Sequence, residues 1–137
     1  DKPKEALTAG ERLYLEYHIT GIRGEAEQGY PTVFQYALPA LKRSQGTINQ
    51  RLLDTLMTIV ANSVDTNLIK RSHDKQIVAW AHSEAQQYLA LGGCKTSAGM
   101  DKLLALNHQF KQRNLSLGGS ADLLILTIFL GFELKII

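Results

Sequence analysis

INQRLLDTLMTIVANSV, residues 48–64, is the stretch on which the fold turns. Leu52, Leu56, Ile59 and Ser63 form one row at helical spacing, and Leu53, Met57, Val60 and Val64 form the row beside it. A half-buried strand would alternate with period two. Here the apolar positions recur every three or four residues, so the segment predicts an amphipathic helix. The same period recurs on both sides of it. Upstream, Pro31 suits the first turn of a helix in which Val33, Ala37 and Leu41 repeat every four residues, as do Phe34 and Leu38. Pro39 lies inside that pattern and predicts a kink or a break. Further upstream, Lys4 to His18 reads as a helix with Leu13 and Tyr17 on one face, and GIRGEAEQG (21–29), punctuated by three glycines, reads as a loop.

Downstream, VDTN (64–67) is polar punctuation. A helix over roughly His73 to Leu91 turns Ile77, Ala81, Ala85 and Tyr88 inward and stops at Gly92 and Gly93. Another runs from Ser97 or Ala98 to Arg113 on a stripe of Leu103, Leu106 and Phe110. The last starts at about Ser120 and is strongly hydrophobic. No segment alternates long enough to make a strand. The expectation is an all-α bundle of about six helices, forming a single domain over 1–137.

With 137 residues, 45% hydrophobic and 20% charged, the chain has an ordinary globular composition. A net charge of +2, with no basic block interleaved with aromatics, argues against nucleic acid as a partner. The apolar run from Leu123 to Phe132 is about half of a bilayer crossing. It is expected to be a buried helix, with no membrane partner. Cys94 is the single cysteine, so no internal disulfide forms; a reducing, cytoplasmic compartment is expected. No Cys/His/Asn arrangement supports a catalytic role for it. No apolar signal segment follows the opening DKPKEALTAG, and the chain begins without methionine, so a processed or truncated piece is expected.

Three stretches gather polar residues able to carry chemistry, each with a plain structural alternative. In RGEAE, alternate carboxylates Glu25 and Glu27 beside Arg23 could hold a hard cation, or could be a solvated charged loop. In DTNLIKR, Asp65 and Asn67 offer oxygen ligands and Lys70 and Arg71 offer charge for phosphate, while Asp, Thr and Asn are also ordinary helix caps. In LSLGGSADLLILTIFL (115–130), Gly118 and Gly119 permit close backbone approach and Ser120 opens a helix whose N–H groups favour an anion. The plain alternative there is Ser120 as N-cap with Asp122 in the first turn. A carboxylate at that position would repel a phosphate unless Asp122 held Mg²⁺ between them. The four histidines, His18, His73, His82 and His108, show no metal-binding spacing, and Trp80 reads as core.

Taken together and in order, GIRGEAEQGYPTVFQYALPAL (21–41), DTNLIKR (65–71) and LSLGGSADLLILTIFL (115–130) closely resemble the triphosphoribosyl-dephospho-coenzyme A synthase family. That family makes the prosthetic-group precursor of citrate lyase, with a sister branch serving malonate decarboxylase. Leu117, where the malonate branch typically has proline, points to the citrate lyase branch. The resemblance implies a transferase acting on ATP and 3′-dephospho-coenzyme A with release of adenine. It implies Asp65 and Asp122 around Mg²⁺, with Glu25 or Glu27 as base on the attacking hydroxyl. Phosphates would meet Arg23, Lys70, Arg71, Gly118, Gly119 and Ser120. Two departures stand out: Ser72 and His73 replace a glycine pair of the malonate branch, and the motifs of the family's N-terminal half are missing. The chain is therefore expected to be the C-terminal part of a larger all-α enzyme, inactive alone or completed by a homo-oligomer or by a missing N-terminal half. The rival readings are an all-α Mg²⁺-dependent nucleotide hydrolase and a non-enzymatic helical interaction domain.

Overall fold

The structure, a computed structural model, describes residues 21–137, with side chains described from Gly24 onward. The helix expected over Lys4 to His18 lies outside the described residues, as does the side chain of Arg23. Seven α-helices and no strand occur among the described residues, in line with the all-α expectation. They are α1 (Gly21–Glu27), α2 (Leu38–Arg43), α3 (Ile48–Asn62), α4 (Thr66–Ser72), α5 (Ile77–Ala90), α6 (Ser97–Gln112) and α7 (Gly118–Glu133). A π-helical segment, Val33–Ala37, leads into α2, and a 3₁₀ turn, Gly93–Lys95, lies between α5 and α6.

The segment on which the fold turns is the central helix. α3 starts on a capping box: Gln50 N–H donates to Thr47 Oγ1 at 3.1 Å, and Thr47 N–H donates to Gln50 Oε1 at 2.9 Å. It separates two apolar clusters. Met57, Val60 and Ala61 face Leu68, Ile69, Ala81, Ala85 and Leu106 on one side. Ile59 faces Val33, Ala37, Leu38 and Leu123 on the other. Full burial of a side chain such as Ile59 or Leu41 stabilises the fold by about 1.5–3 kcal/mol. Two buried threonines on α3 return their hydroxyls to the helix itself, Thr55 to Arg51 O and Thr58 to Asp54 O, both at 2.8 Å.

Several expectations hold at residue level. Val33, Ala37 and Leu41 are buried, as are Ile77, Ala81, Ala85 and Tyr88. The break expected at Pro39 takes a specific form. Pro39 occupies the first turn of α2, and the five residues Val33–Ala37 ahead of that helix widen to π winding, with Leu38 N–H donating to Val33 O. Proline supplies no N–H and crowds the preceding turn, and the wider winding accommodates this without ending the helix.

Two expectations are corrected. GIRGEAE is the helix α1, not a loop, and packs against α7. Its glycines lower intrinsic propensity, but the buried Gly24 and the tertiary contact override that weak preference. The last helix is not a strongly hydrophobic, buried one. Ser120, Leu123, Thr127 and Gly131 make its buried stripe, while Ile125, Phe129 and Phe132 on the other side are 53%, 66% and 63% exposed. Among the described residues no helix is long and apolar enough to cross a membrane.

Candidate functional site

Asp65 organises the polar end of the molecule. It is buried, and its carboxylate accepts from Asn67 N–H at 2.9 Å, which caps α4 in the way its sequence position suggests. The same carboxylate also accepts from Gly119 N–H at 3.3 Å and from Ser120 N–H at 2.7 Å, at the start of α7. Leu117 is the N-cap of α7 and offers no side-chain oxygen, so Gly119 and Ser120 are its second and third residues. Those are the two donors an N-cap side chain ordinarily satisfies. Asp65 thus caps two helices with one carboxylate, one of them more than fifty residues away.

This arrangement explains the glycine pair. A Cβ on Gly118 would stand 2.6 Å from Asn67 Nδ2, and one on Gly119 would stand 3.1 Å from Asp65 Oδ1. Close backbone approach is indeed what the glycines permit, but the group approached belongs to the protein. Of the N–H groups expected to cradle a phosphate, those of Gly119 and Ser120 are engaged by Asp65, and that of Gly118 donates to Ser116 Oγ at 3.3 Å. Ser120 is likewise not the N-cap: its side chain belongs to the buried stripe of α7, and its hydroxyl is fully buried without a hydrogen-bond partner among the described residues. Asp122 lies beyond the first turn and is exposed.

The remaining candidates separate by exposure. Glu25 is half-buried, and its Oε1 accepts from Thr32 N–H at 2.5 Å, tying α1 to the start of the next helical segment. Glu27 is exposed, and two residues apart on a helix the two carboxylates point to different faces. The pairing expected from an extended loop therefore does not form. Lys70 and Arg71 are exposed in the last turn of α4. Arg71 Nη1 donates to Asn114 Oδ1 at 3.0 Å, so its guanidinium lies against the turn between α6 and α7. Among the described residues no group of three or more His, Cys, Asp or Glu side chains is placed to hold a metal ion. A Mg²⁺ ion that travels on substrate phosphates needs only one or two protein carboxylates. The exposed Asp122 fits that role; the carboxylate of Asp65, buried and holding three N–H groups, does not.

One further polar cluster is not announced by any sequence motif. Tyr88 O–H donates to Asp54 Oδ1 at 2.6 Å, Cys94 N–H donates to the same oxygen at 3.1 Å, and Cys94 Sγ lies 2.9 Å from the phenol oxygen. Burial raises the Tyr88 phenol far above its ordinary range, and the hydrogen bonds to Asp54 and Cys94 push the same way. Gly93 has φ of +62°, and a Cβ there would meet Asp54 Oδ1 at 2.5 Å. The cluster fastens the 3₁₀ turn onto α3 and α5. Nothing local marks these residues, since Asp54 and Tyr88 lie 34 residues apart on different helices.

Geometry thus joins the second and third motifs through Asp65 and lays the first against the same helix, α7. Sequence comparison carries the matter further. A family model described as CitG, ATP:dephospho-CoA triphosphoribosyl transferase, matches residues 1–135. The chain is 62% identical over 136 residues to a probable 2-(5''-triphosphoribosyl)-3'-dephosphocoenzyme-A synthase of Lactiplantibacillus plantarum, covering 99% of this chain and 49% of that protein. It is 50% identical over 123 residues to protein CitXG of Leuconostoc mesenteroides subsp. cremoris, covering 90% of this chain and 26% of that one. The chain therefore spans about half the length of the first relative and about a quarter of the second. No solved structure matches it. With the family model matching nearly every residue, the chain belongs to the CitG family of ATP:dephospho-CoA triphosphoribosyl transferases.

Proposed function

We propose that this chain serves triphosphoribosyl transfer from ATP to 3′-dephospho-coenzyme A, giving 2′-(5″-triphosphoribosyl)-3′-dephospho-coenzyme A, the citrate lyase prosthetic-group precursor. The observation that carries the proposal is the family match over residues 1–135. In the transfer, the ribose 2′-oxygen of dephospho-coenzyme A forms a bond to the anomeric carbon of the ATP ribose as that carbon's bond to adenine breaks. The hydroxyl gives up one proton, adenine gains one, and the triphosphate stays on the transferred sugar. Such a site needs cations for phosphate, a carboxylate to take the hydroxyl proton, and donors held firmly enough to orient both substrates.

The geometry supports a revised division of labour. Arg71 and Lys70 supply positive charge at the surface, and Asp122 is the carboxylate open to a Mg²⁺ ion carried by the nucleotide. Mg²⁺, when bound, would offset phosphate charge. Glu27 is exposed and its side chain has no hydrogen bond among the described residues, which favours it over Glu25, committed to Thr32, as the group that takes the proton. Asp65, Gly118 and Gly119 act as positioning residues that hold α4 and α7 together. A cytoplasmic setting suits these substrates.

Adenine measured by chromatography tests the reading. Adenine should appear from ATP only when dephospho-coenzyme A is present, and Asp122→Ala should suppress it while thermal unfolding stays unchanged. Nucleoside diphosphate formed without dephospho-coenzyme A would instead support a hydrolase, and would refute the transfer.

A further inference from the structure

A cleft of about 130 Å³ opens between α3, α5 and α6, with Leu117 of the third motif at one edge. Leu53, Met57, Leu103, Leu106 and Phe110 line it, and the exposed Asn107 stands at its lip. The other polar lining residue, Glu84, is paired with Lys102. The apolar walls of this open cleft can stack against the face of a flat aromatic ring system that enters from its mouth. A wider recess continues from the cleft, sharing Asn107, Phe110 and Leu117 and adding Lys111 and Asn114. Asn114 accepts the hydrogen bond from Arg71, so two cations flank this recess. An apolar slot that leads into a cationic trough suits a nucleotide, with its ring inside and its phosphates outside. The carboxamide of Asn107 offers a donor and an acceptor side by side, the complement of an aminopurine edge.

We infer that this cleft is an adenine subsite, with Asn107 reading the ring and Lys111 and Arg71 meeting the phosphates. The inference rests on the transferase reading in one respect: both proposed substrates carry adenine, ATP as the leaving group and dephospho-coenzyme A as a fixed part. The shared chemistry is the ring, and the two sources are separable by experiment.

Trp80 is the sole tryptophan, and its ring lies 5.8 Å from that of Phe110 in the cleft wall, so its fluorescence reports occupancy. The full chain is titrated with ATP, with dephospho-coenzyme A and with inorganic tripolyphosphate. One or both adenine ligands should shift Trp80 emission, and whichever does so is the source. Asn107→Leu and Leu103→Phe should each raise its Kd tenfold or more while leaving tripolyphosphate within twofold. Arg71→Ala should weaken ATP and tripolyphosphate alike. Wild-type protein that binds neither adenine ligand, or variants that bind them like wild type, would overturn the subsite. Adenine release is followed in parallel. Release with an unchanged KM for ATP and for dephospho-coenzyme A in both cleft variants sinks the subsite alone; cleft binding without release, once the chain is joined to an N-terminal half like that of its longer relatives, sinks the transfer reaction alone.

Discussion

Replacing Asp65 by alanine separates its two readings, metal ligand and double cap. The carboxylate holds Asn67 N–H, Gly119 N–H and Ser120 N–H, and the last of these donors is buried. Loss of an N-cap costs about 1 kcal/mol, and here two helices lose one together. A buried donor left without a partner costs about 1–3 kcal/mol. Taken with the lost attraction between the carboxylate and two helix N-termini, Asp65→Ala should destabilise the fold by about 2–4 kcal/mol. For a chain of this size that lowers the midpoint by about 10 °C. Asp65→Asn should cost about half as much: its one carbonyl oxygen can still cap α4, but its amide nitrogen would face the Ser120 donor. Thermal and urea unfolding in the absence of any metal or nucleotide measure this. If Asp65 were chiefly a metal ligand, removing it would leave the apo protein's stability unchanged or raised. An apo midpoint within 2 °C of wild type (roughly 0.5 kcal/mol) would therefore refute the double-cap argument.

Other substitutions probe other parts of the structure. Ser120→Ala deletes a buried hydroxyl that has no partner among the described residues and should stabilise by up to about 1 kcal/mol, read by urea unfolding; marked destabilisation would mean the hydroxyl is bonded after all. His73 ends α4 in the left-handed region at φ +56°, so His73→Gly should gain about 0.5–1 kcal/mol, and a loss would show that its side chain holds the turn. The Tyr88 phenol is raised in the folded state, so its contribution is complete below the unfolded value near 10 and is lost as pH rises beyond it. Stability of the wild type relative to Tyr88→Phe should fall by about 1.4 kcal/mol per pH unit above 10, and a pH-independent difference would contradict the buried hydrogen bond.

What the sequence discloses and what it hides divide along physical lines. Periodicity reports burial of a helix face, so spacing alone places Val33, Ala37 and Leu41, or Ile77, Ala81, Ala85 and Tyr88, on the inside, where they lie. Composition reports local propensity only. It makes a loop of GIRGEAE, because three glycines in the nine residues 21–29 outweigh any sign that the segment packs on α7. The apolar run in α7 suggests burial all round, yet which of its faces is covered depends on helices distant in sequence. The polar motifs are legible as a set and not as individual roles. Asp, Asn, Gly and Ser near helix starts announce that N–H groups there are satisfied, but sequence is silent on whether a ligand or a remote carboxylate satisfies them.

The glycine pair at 118 and 119 shows why that distinction bears on function. If the pair existed to let a phosphate approach, the partner residues nearby would be dispensable for folding. Instead Asn67 and Asp65 fill the space a side chain would occupy, and Asp65 neutralises the N–H groups that would attract an anion. The motif spacing of DTN and GGS is therefore set by a contact inside the protein. Positive charge available to a phosphate lies one step outward, on Lys70 and Arg71 at the end of α4, which the same contact holds beside α7, and on Lys111 in the last turn of α6. Breaking the Asp65 contact should accordingly weaken tripolyphosphate binding even though Asp65 itself repels anions. Tighter binding by Asp65→Asn, measured by calorimetry below its unfolding midpoint, would return the helix start to the role of phosphate cradle.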